Sequence, residues 1–177
     1  MKRNSGFSLV ELMVAMVIGL IIILSAGQLF LTVFQTNRQV ETLSEKQAAV
    51  NFAVEALLRD IRRANVGSIQ PGSNELELVV PNRGDVAGCA DGADVTKVYS
   101  LSGGDLQLSQ QCTGTPSVTD SIVSAFDPNG PNKGFDVQAD STSGVWLVYF
   151  DLIATDRVGD ADSLIFYAVN RTAAVTN

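Results

Sequence analysis

The hydrophobic rhythm of the chain changes twice. Residues 1–6 are polar and carry Lys2 and Arg3, whereas Phe7 to Phe34 are apolar almost without a break. From Leu12 to Phe34 run 23 residues without a charge. At 1.5 Å per residue they make about 34 Å of helix, enough to cross a hydrocarbon core of roughly 30 Å. Beyond them the apolar positions thin to one face. Val40, Leu43, Gln47, Val50, Val54, Leu57 and Ile61 step by three and four, with Ala48, Ala49, Ala53 and Ala56 beside them. Arg38, Glu41, Glu45, Lys46, Glu55, Arg59 and Arg62 fall on the other side. That is the spacing of an amphipathic helix. Its seam of about three heptads is short for a two-stranded coiled coil, so the stripe is expected to pack on the protein's own sheet. Arg62 and Arg63 oppose the negative end of the helix dipole and Gly67 is a stop signal, which predicts one helix over about 7–65.

From Ser68 the period falls to two. Glu75–Val80 alternates and stops at Pro81. Val95–Leu101 and Asp105–Gln110 alternate on either side of Gly103-Gly104, a hairpin signal. Ser121–Phe126 and Phe135–Gln138 are weaker strands. Val145–Ile153 is a longer apolar run, expected to be a central strand, with Ser163–Val169 as its partner through a turn near Arg157-Val158-Gly159-Asp160. One long helix followed by an antiparallel sheet is an α+β fold. The 59 residues from Phe7 to Asn65 would make about 88 Å of helix, so the expected shape is a lollipop, a helical handle carrying a β-rich head. No internal repeat is visible.

One residue breaks the first pattern. Glu11 places a carboxylate near the start of a membrane helix, at a cost of ~1–3 kcal/mol that depends on its depth. A plain anchor has no use for it. Neither has a secretory signal, for which Ser25-Ala26-Gly27 would be the small-residue cleavage site. Gly6-Phe7-Ser8-Leu9-Val10-Glu11-Leu12 resembles the cleavage and methylation site of type IV prepilins and of type II secretion pseudopilins. The resemblance implies that a membrane-bound prepilin peptidase and methyltransferase cuts after Gly6 and methylates the new amine of Phe7. It also implies that Glu11 pairs with the Phe7 amine of a neighbouring subunit as a filament grows. Two unit charges about 4 Å apart attract by roughly 1 kcal/mol in water and ~4 kcal/mol at an effective dielectric of 20.

Gln28-Leu29-Phe30-Leu31, Gln35-Thr36-Asn37-Arg38 and Leu57-Leu58-Arg59-Asp60-Ile61-Arg62-Arg63-Ala64 are similar to the helix of PilW-type minor pilins and, more distantly, of J-type pseudopilins. The likeness covers about the first 65 residues, and the remainder is shorter than that family leads one to expect. Gln28 stands where many major pilins have a proline, which points to a minor pilin. The resemblance implies a leader at 1–6, a transmembrane and filament-core half at 7–34, and a periplasmic head at 35–177, helical over 35–66 and β-rich over 67–177. It implies a single pass through the bacterial inner membrane with Lys2 and Arg3 on the cytoplasmic side, and later a place in the pilus at the cell surface. The expected partners are the peptidase, other minor and major pilins, the inner-membrane assembly platform and the membrane. The implied role is structural: a subunit that primes or caps pilus assembly. A J-type pseudopilin at the tip of a secretion pseudopilus is the nearest alternative, and a pilus-borne module for adhesion or DNA uptake is another.

Composition narrows this further. The formal net charge is −7, from 12 basic and 19 acidic residues; without Lys2 and Arg3 the balance is 10 against 19, or −9. So acidic a chain repels nucleic acid over most of its surface, and nucleic acid is not an expected partner. There is no histidine, which removes a histidine base, triad or metal ligand. No cofactor is expected and no catalytic frame is recognisable. Cys89 and Cys112 fit one disulfide in an oxidising compartment, worth about 3 kcal/mol in the chain-entropy model; two free buried thiols are the alternative. Arg59, Arg62 and Arg63 suggest an anion-binding patch, although a solvated helix end beside Asp60 is the simpler expectation. Asp156, Asp160 and Asp162, and Asp127, Asn129, Asn132 and Asp136, mark two turns without the spacing of a calcium loop, so no metal site is expected. Asn170-Arg171-Thr172 fits a glycosylation acceptor and is too short a pattern to carry weight.

Overall fold

The computed structural model describes residues 8–153 and 161–171, with the side chains of Thr42, Glu45, Lys46 and Ala161 left out. The chain divides into two compact units, Met1–Glu45 and Lys46–Asn177.

The described part of the first unit is helical from Leu9 on. Helix α1 runs Leu9–Arg63 without a break at Gly19, Gly27 or Gln28. Its stretch Leu9–Glu41 is long and apolar enough to cross a membrane, and none of it is buried within the protein. Ser25, Thr32 and Thr36 donate their hydroxyls to the carbonyls of Ile21, Gln28 and Thr32, four residues back, at 2.8–3.0 Å. Polar side chains on an apolar helix thus satisfy themselves without water. Phe30 and Phe34 stack at 6.4 Å, and the Arg38 guanidinium lies 4.5 Å over the Phe34 ring, a cation–π contact where the apolar stretch gives way to charge.

Among the described residues the second unit holds the rest of α1 and eight strands. These are β1 (Gln70–Gly72), β2 (Glu75–Pro81), β3 (Asp94–Ser102), β4 (Asp105–Cys112), β5 (Val118–Val123), β6 (Phe135–Ala139), β7 (Val145–Ile153) and β8 (Ala161–Val169). The α+β order is as the periodicity predicts, but the strands form two antiparallel sheets where one was expected. One has the order β1-β2-β3-β4-β5 and the other β6-β7-β8. Strand β7 is central, paired to β6 and β8 on its two sides. The expected strand Ser121–Phe126 is displaced to Val118–Val123. Phe126 leaves it to form an isolated bridge to Leu152 of β7, while its N–H donates to Gly104 O at 2.9 Å. The segment between β5 and β6 therefore ties the β3–β4 turn to β7. The expected turn near 157–160 lies outside the described residues.

Gly103 and Gly104 both have positive φ, 62° and 88°, and close a two-residue hairpin between Ser102 and Asp105, as right-handed strand twist requires. Alternation sets the inner face. Leu76, Leu78 and Val80 of β2 and Val95 and Tyr99 of β3 are buried, together with Val137, Val148 and Phe150 of the smaller sheet. They meet Val50, Ala53, Leu57 and Ile61 of α1, and Ala64 just after it, in one core. The helical stripe is thus covered from Val50 onward, while Val40 and Leu43 remain exposed. Phe150 is the aromatic centre, edge-to-face with Phe126 and Phe166 at 5.1 Å and with Phe135 at 5.8 Å. Truncating it opens a cavity among three rings. Phe150→Ala is expected to cost about 3–5 kcal/mol, read as a lower denaturation midpoint by circular dichroism; a loss below ~1 kcal/mol would contradict this packing.

Candidate functional site

Two places concentrate chemistry: the start of α1, and a charged cluster where the last turns of α1 meet β3.

The cluster grows from Asp60. It lies in phase with Ala53, Ala56 and Leu57 on the apolar face of α1 and is fully buried. On β3, Lys97 lies in phase with Val95 and Tyr99 on the inward face and is also buried. Lys97 Nζ donates to Asp60 Oδ2 at 3.0 Å, and the Tyr99 hydroxyl donates to the same oxygen at 2.7 Å. Arg63, one turn on, donates from Nε and Nη2 to Oδ1 at 3.0 and 2.9 Å. The Arg63 guanidinium also forks onto Asp85, whose Oδ2 lies 3.4 Å from Lys97 Nζ. Two carboxylates thus face two enclosed cations, with exposed Arg59 a third at 3.8 Å from Asp60, so the buried charges are compensated as they need to be. The expectation of a solvated helix end is wrong for Arg63: its side chain is only 11% exposed, against 59% for Arg59.

The protonation states follow from the contacts. The Arg63 hydrogen bond, opposed by burial, holds the Asp85 carboxyl well below the usual carboxylate range. Burial lowers the Arg63 pKa, but the Asp85 hydrogen bond and the charges of Asp60 and Asp85 outweigh it and raise it. Burial and the Asp60 carboxylate push the Tyr99 phenol far above its ordinary value, which keeps it a donor. Among the described residues no buried polar side-chain atom lacks a hydrogen-bond partner. The cluster therefore offers no unsatisfied group to a substrate; it locks the helix to the sheet.

Asp85 is delivered by the β2–β3 loop, which is pinned from both ends. Buried Asn82 donates its side-chain amide to Cys89 O at 2.9 Å and Ala90 O at 3.2 Å, and accepts from Val86 N. Cys89 is disulfide-bonded to Cys112 at the end of β4, with Cα atoms 6.1 Å apart. Sequence reasoning missed this network. Its signal was phase: Lys97 and Asp60 each stand at an apolar position of their element.

The acidic turn over 127–136 is held by hydrogen bonds within the fold. Asp127 caps its own turn by accepting from Asn129 N at 2.9 Å. Asn132 donates through its side chain to Asp151 at 3.1 Å, and Asp136 accepts from Gln138 at 2.7 Å. Buried Asp151 also accepts from Ser163 at 2.6 Å. Burial pushes its carboxyl up, but Ser163 and the Asn132 amides outweigh that and hold it below its ordinary value. Among the described residues no three acids converge as metal ligands. Asp162 is exposed on β8, whereas Asp156 and Asp160 lie outside the described residues. The Asn170 side chain is buried and donates to Ala64 O at 3.1 Å, closing the helix end; Thr172 lies outside the described residues.

At the other end of α1, Gly6 and Phe7 lie outside the described residues. Leu9 is the first helical residue, with Leu12 N donating to Ser8 O at 3.2 Å. Ser8 therefore stands at the N-cap position and Glu11 in the first turn, exposed. A carboxylate there faces the positive end of the helix dipole.

Residues 1–27 match the family model for the prokaryotic N-terminal methylation motif. No curated protein and no solved structure matches the chain. The motif supports a type IV pilin-like protein of pilus or secretion assembly, processed by a prepilin peptidase, and the apolar helix fits membrane anchoring.

The carboxylates set a pH dependence. Asp85 and Asp151 are held below their unfolded value near ~3.9, so their contribution is complete above it and is lost as pH falls through their lower folded values. The melting temperature of the detergent-solubilised chain should be flat above pH ~5 and fall steeply below ~4. Asp85→Asn should flatten part of that fall. Thermal circular dichroism at stepped pH checks both.

Proposed function

We propose that the protein is a structural and assembly subunit of a type IV pilus, a PilW-type minor pilin that primes or caps the filament. The observation that carries this is the juxtaposition at the N-terminus: the methylation motif over residues 1–27, then an apolar helix interrupted by one acid, Glu11, in its first turn. The precursor inserts with Lys2 and Arg3 on the cytoplasmic side, the apolar half as its membrane segment and the head in the periplasm. A prepilin peptidase removes residues 1–6 and methylates Phe7. The assembly platform then lifts α1 from lipid into a bundle of other minor and major pilins.

The physics of that transfer is favourable. An apolar surface loses little between lipid and a packed helix bundle, since lipid tails are as apolar as the side chains they replace. The hydroxyls of Ser25, Thr32 and Thr36 need nothing from either surrounding. Glu11 does, and the Phe7 amine of a neighbour would supply it, setting the register between subunits. The work described is anchoring, docking and polymerisation, which calls for no catalytic group.

Two substitutions test the reading. Replacing Gly6 with a bulkier residue should leave the precursor uncut, seen as a slower band on immunoblots. Glu11→Val should be cut normally, because the peptidase reads the glycine side, yet lower surface filaments to the level of a deletion strain. Wild-type filament levels in that variant would contradict the pairing. A deletion that spares filaments but stops protein secretion would assign the chain to a secretion pseudopilus.

A further inference from the structure

The second unit carries a groove of about 730 Å³ that no assembly role of the N-terminus uses. Arg59, Arg62, Arg63, Arg83 and Arg171 line it, five of the 12 basic residues in an otherwise acidic chain. They come from three separate places: the last turns of α1, the residue after Asn82 in the β2–β3 loop, and the residue after Asn170 beyond β8. The helix dipole accounts for cations on α1; it does not account for Arg83 and Arg171. Each of these follows a buried asparagine that is hydrogen-bonded to backbone, Asn82 to Cys89 O and Asn170 to Ala64 O. Their backbones are thus held in place before any ligand arrives, which lowers the ordering cost of binding. Arg63 is committed to Asp60 and Asp85. Among the described residues Arg62, Arg83 and Arg171 form no ion pair, and Glu55 is the one acid in the lining. The groove therefore has an excess of cationic donors shaped to fork onto carboxylates or phosphates.

We propose that this groove docks an acidic, partly aliphatic peptide segment of a partner protein. Its lining supplies the second half of the recognition. Val54, Leu58 and Pro81 are half-buried in it, an apolar floor that aliphatic side chains would cover and a phosphodiester backbone would leave bare. No aromatic residue lines it, so it lacks the stacking platforms with which single-stranded nucleic acid is held. The acidic balance of the rest of the chain repels a long polyanion but tolerates a short acidic segment within a Debye length of about 8–10 Å. This inference is independent of how the N-terminus is processed.

The test uses the full chain in detergent micelles and a fluorescein-labelled peptide of alternating Glu and Leu, about eight residues long. Anisotropy should show binding that weakens about ten-fold or more between 50 and 500 mM salt, roughly as paired charges are screened, and by a similar factor in the Arg62→Glu, Arg83→Glu, Arg171→Glu triple variant. These side chains are exposed and surface changes of this kind perturb stability little, so the variant should keep its circular dichroism and melting temperature. A Gln–Leu peptide of the same length should not bind. Equal binding of the Gln–Leu peptide, or unchanged affinity in the triple variant, overturns the proposal. So does tighter, arginine-dependent binding of duplex or single-stranded DNA, which assigns the groove to nucleic acid. Salt-sensitive self-association lost in the same variant assigns it to a second copy of the chain and overturns the partner reading as well.

Discussion

A single buried carboxylate determines how the head is put together. Asp60 sits where the periodicity of α1 demands an apolar residue, and a charge there is tolerable only if every lone pair is used. Lys97, Tyr99 and Arg63 use them, and Arg63 passes the constraint to Asp85 in the β2–β3 loop. The surrounding contacts of Val50, Ala53, Leu57 and Ile61 with the sheet are non-directional and would accept small slides or rotations of the helix. The ion network would not. A shift of α1 by one turn, about 5.4 Å, would leave Asp60 and Lys97 buried without partners. Removing one member of such a set costs several kcal/mol, even where the intact set adds little net stability. Its contribution is therefore a unique register of helix on sheet, and the Cys89–Cys112 disulfide fixes the loop that delivers Asp85.

The helix that carries Asp60 obeys a different rule at its other end. Over Leu9–Glu41 the helix is apolar enough to cross a membrane, and none of its described residues is buried. Its few hydroxyls turn inward on their own backbone. Such a surface suits lipid or a bundle of like helices, and Glu11 is its one charge before Arg38. Each of the two acids stands on an apolar surface. Asp60 is answered from within the chain, and on the function proposed here Glu11 is answered by the next subunit.

Local patterns in the sequence carried most of the elements. The long helix, the Gly103-Gly104 hairpin and the run Val145–Ile153 follow from period and turn chemistry alone. Partition into two sheets does not, because alternation says which face a strand buries and not which strand lies beside it; the bridge of Phe126 to Leu152 is a long-range choice. Strand β1, Gln70-Pro71-Gly72, has no apolar alternation to find and is recognised only by its pairing to β2. Lys97 and Asp60 were legible as charges in apolar phase. Asp85, Arg83 and Arg171 were not, since loops bring them in from distant positions, and Arg63 reads as solvated until Asp60 and Asp85 are placed beside it.

Whether the N-terminus is processed at Gly6 decides between a filament subunit and a simple membrane anchor. Mass spectrometry of the N-terminal peptide, on protein purified from its native membrane, reads this directly. The predicted result is a chain that lacks residues 1–6 and begins at an N-methylated Phe7. A chain that keeps Met1, or one that begins at Gln28 after signal cleavage, would contradict the assignment.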